Sequence, residues 1–86
     1  MNIIPFIHLF KELDTDEVIR IELINGNKIY YLPSDAISVE PNIIIIKKLI
    51  KNKRQQIIIN ANTISVICTM SRITYEAKLQ RGELYV

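Results

Sequence analysis

With 86 residues, 49% of them hydrophobic, and a net charge of +2, the chain is long enough for one domain and too short for a thick core, so self-association is expected to cover what one copy leaves exposed. Its single cysteine, Cys68, excludes an intrachain disulfide and a cysteine metal cluster and points to a reducing compartment. Residues 1–10 are apolar but have no basic flank and are cut short by Lys11 and Glu12, which argues against a signal peptide or membrane span and for a cytoplasmic protein.

The first element in chain order is a short amphipathic helix at residues 5–13. Pro5 fits a first helical turn, and Phe6, Leu9, Phe10 and Leu13 follow at helical spacing. From Val18 the period becomes two: Ile19, Ile21 and Leu23 face one way and Arg20 and Glu22 the other, as in a half-buried strand. Asn25-Gly26 is a hairpin signal of the kind that takes positive φ at both positions. Residues 27–32 return as a strand, which Pro33 must bend, end or leave at an edge.

Residues 36–39 form a short extended segment closed by Glu40-Pro41-Asn42, and Ile43 to Ile46 read as a strand covered on both faces. The polar tract 47–56 reads as a turn, Ile57 to Ile59 as a strand, Asn60-Ala61-Asn62 as a tight corner, and residues 63–67 as a further strand. Residues 69–86 are left as an extra strand, suggested by alternating Ile73, Tyr75 and Ala77, or a tail. Residues 18–39 and 45–66 also align without gaps, as an internal repeat or as two hairpins obeying the same rules. The fold class is thus mainly β, with a short N-terminal α-helix before a strongly bent five-stranded antiparallel sheet or small barrel over residues 17–68, all in one domain.

Few residues could carry chemistry. His8 is the sole histidine and Cys68 a packed strand residue; Asp14 and Asp16 make a solvated turn, and two glycines cannot build a phosphate loop. No enzymatic activity, cofactor or metal is expected. Binding signals are better. Between residues 41 and 75 there is no acidic residue, while Lys47, Lys48, Lys51, Lys53, Arg54 and Arg72 fall there, a pattern suited to an anionic partner or to a solvated hairpin. Adjacent Tyr30 and Tyr31 should face opposite ways, leaving one to stack a base or sit at an interface. Asn60 and Asn62 can read base edges or simply turn the chain.

Helix, strand, Asn-Gly turn, bent strand, strand, turn, strand, asparagine corner, strand: this order resembles the Sm-like family of small barrels, which includes the bacterial Hfq proteins. The resemblance is carried by residues 6–13 as the leading helix, 18–26 as the first motif and 55–67 as the second. It implies a homo-oligomeric ring that binds single-stranded RNA, with Asn42, Asn60 and Asn62 toward the RNA and Lys47 and Lys48 flanking. The sequence departs from the family where a glycine usual in the bent strand is replaced around Tyr31, where the first motif's aspartate-to-asparagine spacing stretches to Asp35 and Asn42, and where the usual lysine-histidine or arginine-glycine pair falls on Asn60-Ala61. Ile24-Asn25-Gly26, Tyr30-Tyr31-Leu32-Pro33 and the next hairpin also resemble FlbD-like small proteins. Two functions are therefore expected: an RNA-binding ring, or a protein-interaction and assembly module on the same scaffold with no nucleic-acid role.

Overall fold

The computed structural model describes residues 3–84. Helix α1 (Ile7–Lys11), preceded by a 3-10 turn at Ile4–Phe6, leads into strands β1 (Glu17–Leu23), β2 (Lys28–Tyr31), β3 (Ala36–Glu40), β4 (Ile43–Ile50) and β5 (Lys53–Asn60). A 3-10 turn (Ala61–Thr63), strand β6 (Ile64–Ser71) and helix α2 (Arg72–Gln80) follow. The strands make two antiparallel three-stranded sheets, ordered β2-β1-β6 and β3-β4-β5. The expected five-strand sheet or closed barrel is thus replaced by six strands in two sheets. Leu32, Pro33, Ser34 and Asp35 divide the bent strand into β2 and β3, because proline supplies no ladder donor and the chain turns there through Asp35 N–H donating to the Leu32 carbonyl at 2.9 Å.

The repeat in the sequence corresponds to this topology. β1-β2-β3 and β4-β5-β6 are equivalent triplets, and the third strand of each pairs with the first strand of the other, β3 on β4 and β6 on β1. The corner at Pro33-Ser34-Asp35 then corresponds to Asn60-Ala61-Asn62.

Period-two patterning sets the main core: Ile19 and Ile21 from β1, Tyr31 from β2, Ile44 and Ile46 from β4 and Ile59 from β5 close over Phe10, with Leu9 and Leu13 packed around them. The Phe10 and Tyr31 rings meet edge to face at 5.2 Å and 80°. The helical turn is shorter than residues 5–13 suggested, ending at Lys11. It persists because the sheet buries Phe10.

The outer face of β1 is covered as well. Val18, Tyr30 and Tyr75 form a second cluster with Leu32, Met70 and Leu84, and Tyr30 and Tyr75 lie 5.3 Å apart. Tyr75 belongs to α2, so the strand or tail expected after residue 68 is instead three more residues of β6 and a nine-residue helix. Ser71 starts it: its hydroxyl accepts from Thr74 N–H at 3.1 Å, satisfying an otherwise orphan donor.

The turn with two left-handed residues expected at Asn25-Gly26 is found in the second hairpin instead. At Asn25-Gly26 only Gly26 (φ +89°) is left-handed, in a turn closed by Gly26 N–H on the Leu23 carbonyl at 2.9 Å. At residues 51–52 both Lys51 (φ 52°) and Asn52 (φ 64°) are left-handed. That tight turn lets β4 and β5 pair from Ile43 and Asn60 out to Ile50 and Lys53. The polar tract is therefore mostly strand: a two-stranded ribbon projecting beyond Lys47, the last β4 residue that β3 reaches.

Candidate functional site

Three of the five sequence candidates are brought together. Asn42, in the β3–β4 turn, presents its carbonyl to Ala61 N–H at 2.8 Å, and Asn60 is paired with the neighbouring Ile43 across the sheet. Asn60 caps the 3-10 turn, its Oδ1 accepting from Asn62 N–H at 2.9 Å, while Thr63 donates its hydroxyl to the Asn60 carbonyl at 2.7 Å. Ala61 is buried between the two asparagines and anchors the corner in the core. Asn42, Asn60 and Asn62 themselves are exposed and share one end of the molecule.

The lysines separate. Along β4 successive side chains alternate, so Lys47 points out to solvent and Lys48 points in. Lys48 is buried, its ammonium paired with the Asp35 carboxylate, with side chains 7% and 10% exposed. Asp35 also accepts from Leu32 N–H at 2.9 Å, and its carbonyl accepts the Tyr31 hydroxyl at 3.2 Å. Lys48 thus ties the β2–β3 corner to β4 and presents no free charge to a ligand.

Tyr30 and Tyr31 do face opposite ways, but neither is left outward: both are buried, one in each cluster, because α2 covers the second face. The expected stacking tyrosine is therefore absent from this strand. In the basic tract the exposed cations are Lys47, Lys51, Lys53 and Arg54. None joins the described salt bridges, which are Lys48–Asp35, Arg72–Glu76 and Arg81–Glu83. Arg54 stands six residues along β5 from Asn60, about 20 Å at strand rise.

On the outer face of β4 and β5 Leu49 and Ile58 are 67% and 65% exposed, among Lys47, Arg54 and Gln56. Sequence reasoning missed both. Each occupies an outward position of an isoleucine-rich strand, and the signal was parity with Lys47 and Asn60. A groove of about 580 Å³ between the β1–β2 turn and the end of α2, lined by Lys28, Ile29, Tyr30, Lys78 and Leu84 among others, contains none of the five candidates.

His8 is exposed on α1, and Cys68 is half-buried beside Arg20 in the β1–β6 pairing. No group of three potential ligand side chains among the described residues could hold a metal, and no described helix is long and apolar enough to cross a membrane. No family model, curated protein or solved structure matches the chain.

Burial, the first cause in each case, raises the ionisation of Tyr30, Tyr31 and Tyr75 above the ordinary phenol range. A raised folded-state value means that the neutral phenols stabilise the fold fully below pH ~10 and that this contribution is lost as pH climbs past it. An absorbance titration of tyrosinate, followed beside circular dichroism, should show these phenols ionising only as the fold is lost. Ordinary titration in a protein that stays folded would contradict this.

Proposed function

We propose that the chain is a small, non-catalytic binding module of the Sm-like kind that joins copies through its edge strands and binds single-stranded RNA at its asparagine end. The observation that carries this reading is the Ala61–Asn42 backbone hydrogen bond, which ties together two loops that carry three exposed asparagines. Capping uses the Asn60 Oδ1, and its amide N–H groups have no partner among the described residues. The Asn42 and Asn62 amides have no partner among the described residues. Amides that both donate and accept suit the edges of unpaired bases.

Assembly is supported by the edges. β5 and β6 are eight residues each and expose Ile58 and Val66, whereas β2 and β3 are four and five residues long and expose no large apolar side chain. Long edges with exposed apolar residues favour pairing with another strand.

The test is binding of short uridine-rich and adenine-rich oligonucleotides to protein whose mass has been fixed by light scattering. Asn42→Ala with Asn62→Ala should weaken binding about tenfold, as expected for two lost hydrogen bonds, without lowering Tm. Wild-type protein that binds neither oligonucleotide sinks the RNA reading.

A second reading, a protein-assembly module with no nucleic-acid role, is favoured by Leu49 and Ile58 and by the distance between the asparagines and the free cations. An assembled protein that ignores both oligonucleotides would select it.

A further inference from the structure

We propose that contact between copies is locked by charge: the basic tip of the β4–β5 ribbon in one copy seats on the acidic α1–β1 turn of the next. This rests on the edge-to-edge assembly proposed above and adds the register and direction of that contact.

The strands themselves suggest the register. β5 and β6 have equal length, so in-register antiparallel pairing sets Lys53 opposite Ser71 of the next copy. Ile58 then falls opposite Val66, the two large apolar side chains that these edges expose. Ile57 falls opposite Ile67, both of which pack toward the main core in their own chains. Residues opposite each other in a ladder point to the same face, so this register keeps inner and outer faces continuous where residues 53–58 meet residues 66–71, up to the irregularity of β6 at Ser65.

The same register places the charges. Within a copy, Ser71 pairs with Glu17, and Arg72 N–H donates to the Asp16 carbonyl at 2.7 Å, so the acidic turn lies at the far end of β6. Lys53 would stand two strand spacings from the neighbour's Glu17, about 10 Å, a gap that a lysine and a glutamate close between them. Lys51, at the tip, overshoots Ser71 toward Asp16 and Asp14. Lys51, Lys53, Arg54, Asp14 and Asp16 are exposed and Glu17 half-buried. None of the six joins a described salt bridge, and the nearby Arg72 is engaged by Glu76. Reverse-direction pairing would carry the ribbon cations to Ile64, away from the three acids of the turn and toward the single Glu22 of β1. The contact joins two different surfaces of the chain, so it propagates head to tail and closes or extends according to its rotation.

Two variants test this in the full chain: Lys51→Glu/Lys53→Glu/Arg54→Glu, and Asp14→Lys/Asp16→Lys/Glu17→Lys. Circular dichroism first establishes that both are folded. Light scattering should then show each alone dissociating at about tenfold higher concentration than wild type, and a 1:1 mixture re-assembling, because each variant supplies the charge the other lacks. Raising salt from 0.1 to 1 M, which shortens screening from about 10 to about 3 Å, should weaken the wild-type assembly.

Variants that assemble like wild type, or a mixture that does not recover, overturn the lock while the edge pairing stands. If the ribbon variant assembles normally but loses oligonucleotide binding, the cations serve RNA and the lock is again overturned. A wild-type protein that is monomeric throughout removes the edge pairing and the lock with it.

Discussion

Lys48→Met should destabilise the fold by about 3–5 kcal/mol, the range for removing one partner of a buried ion pair. The loss is large because it strands the other partner. With Lys48 gone, the Asp35 carboxylate keeps only the Leu32 N–H among the described residues, in a corner where its side chain is 10% exposed. For a chain of this length total stability is roughly 4–13 kcal/mol, so the variant should unfold well below wild type, with Tm lower by roughly 15 °C or more. Asp35→Leu combined with Lys48→Met should recover most of the loss, because two apolar residues leave no buried charge. Thermal melts of the two variants decide the matter. A single variant within 1 kcal/mol of wild type, about the worth of an exposed pair, would mean that the pair is solvated and the corner is held by Tyr31 and Leu32 alone.

That ion pair also shows where sequence reasoning stops. In the tract from Lys47 to Arg54 every cation looked equally solvated, because a run of charge normally marks a turn or a wet face. Only strand parity separates them: β4 continues through Ile50, which sends Lys47 out and Lys48 in. What extended the strand was a left-handed turn at Lys51 and Asn52, made without glycine. Asn52 tolerates that conformation and stands opposite Asn25 in the repeat, but Lys51 gives no such signal, since ordinary side chains resist positive φ.

By contrast, β1, the first half of β4 and the asparagine corner were legible, because isoleucines at period two, a continuous apolar run and an Asn-rich break each mark their element. Even so, β4 alternates in burial and is not covered equally on both faces. The convergence of Asn42 with Asn60 and Asn62 was anticipated only through the family resemblance. It depends on a hydrogen bond between residues nineteen positions apart, from Ala61 to Asn42.

Helix α2 was missed for a different reason. Ile73, Tyr75 and Ala77 alternate as in a strand, yet Ile73 is 81% exposed on the helix while Tyr75 is buried. One aromatic anchor, not an apolar stripe, attaches this helix. The readable sign was Ser71 three residues before Thr74, a cap followed by a helical first turn.

That single anchor makes the second large effect specific. Tyr75→Ala should cost about 3–5 kcal/mol, as for other large aromatic truncations in a core. It removes the ring that packs on Tyr30 at 5.3 Å and closes the second cluster over Val18. Helix α2 has nine residues, too few to persist without tertiary support. Its loss should therefore be visible as reduced helical dichroism even where the sheets remain folded. Tyr75→Phe keeps the ring and should remain within about 1 kcal/mol of wild type, which separates packing from any role of the hydroxyl. Hydrogen exchange on the alanine variant gives the more informative readout. Fast exchange confined to residues 72–80 and the covered face of β1 and β2 would mean that the second cluster is an independent layer. Uniform loss of protection, including Ile44 and Ile46, would mean that the inner core cannot stand without it, and that this small domain folds only when both faces of β1 are covered.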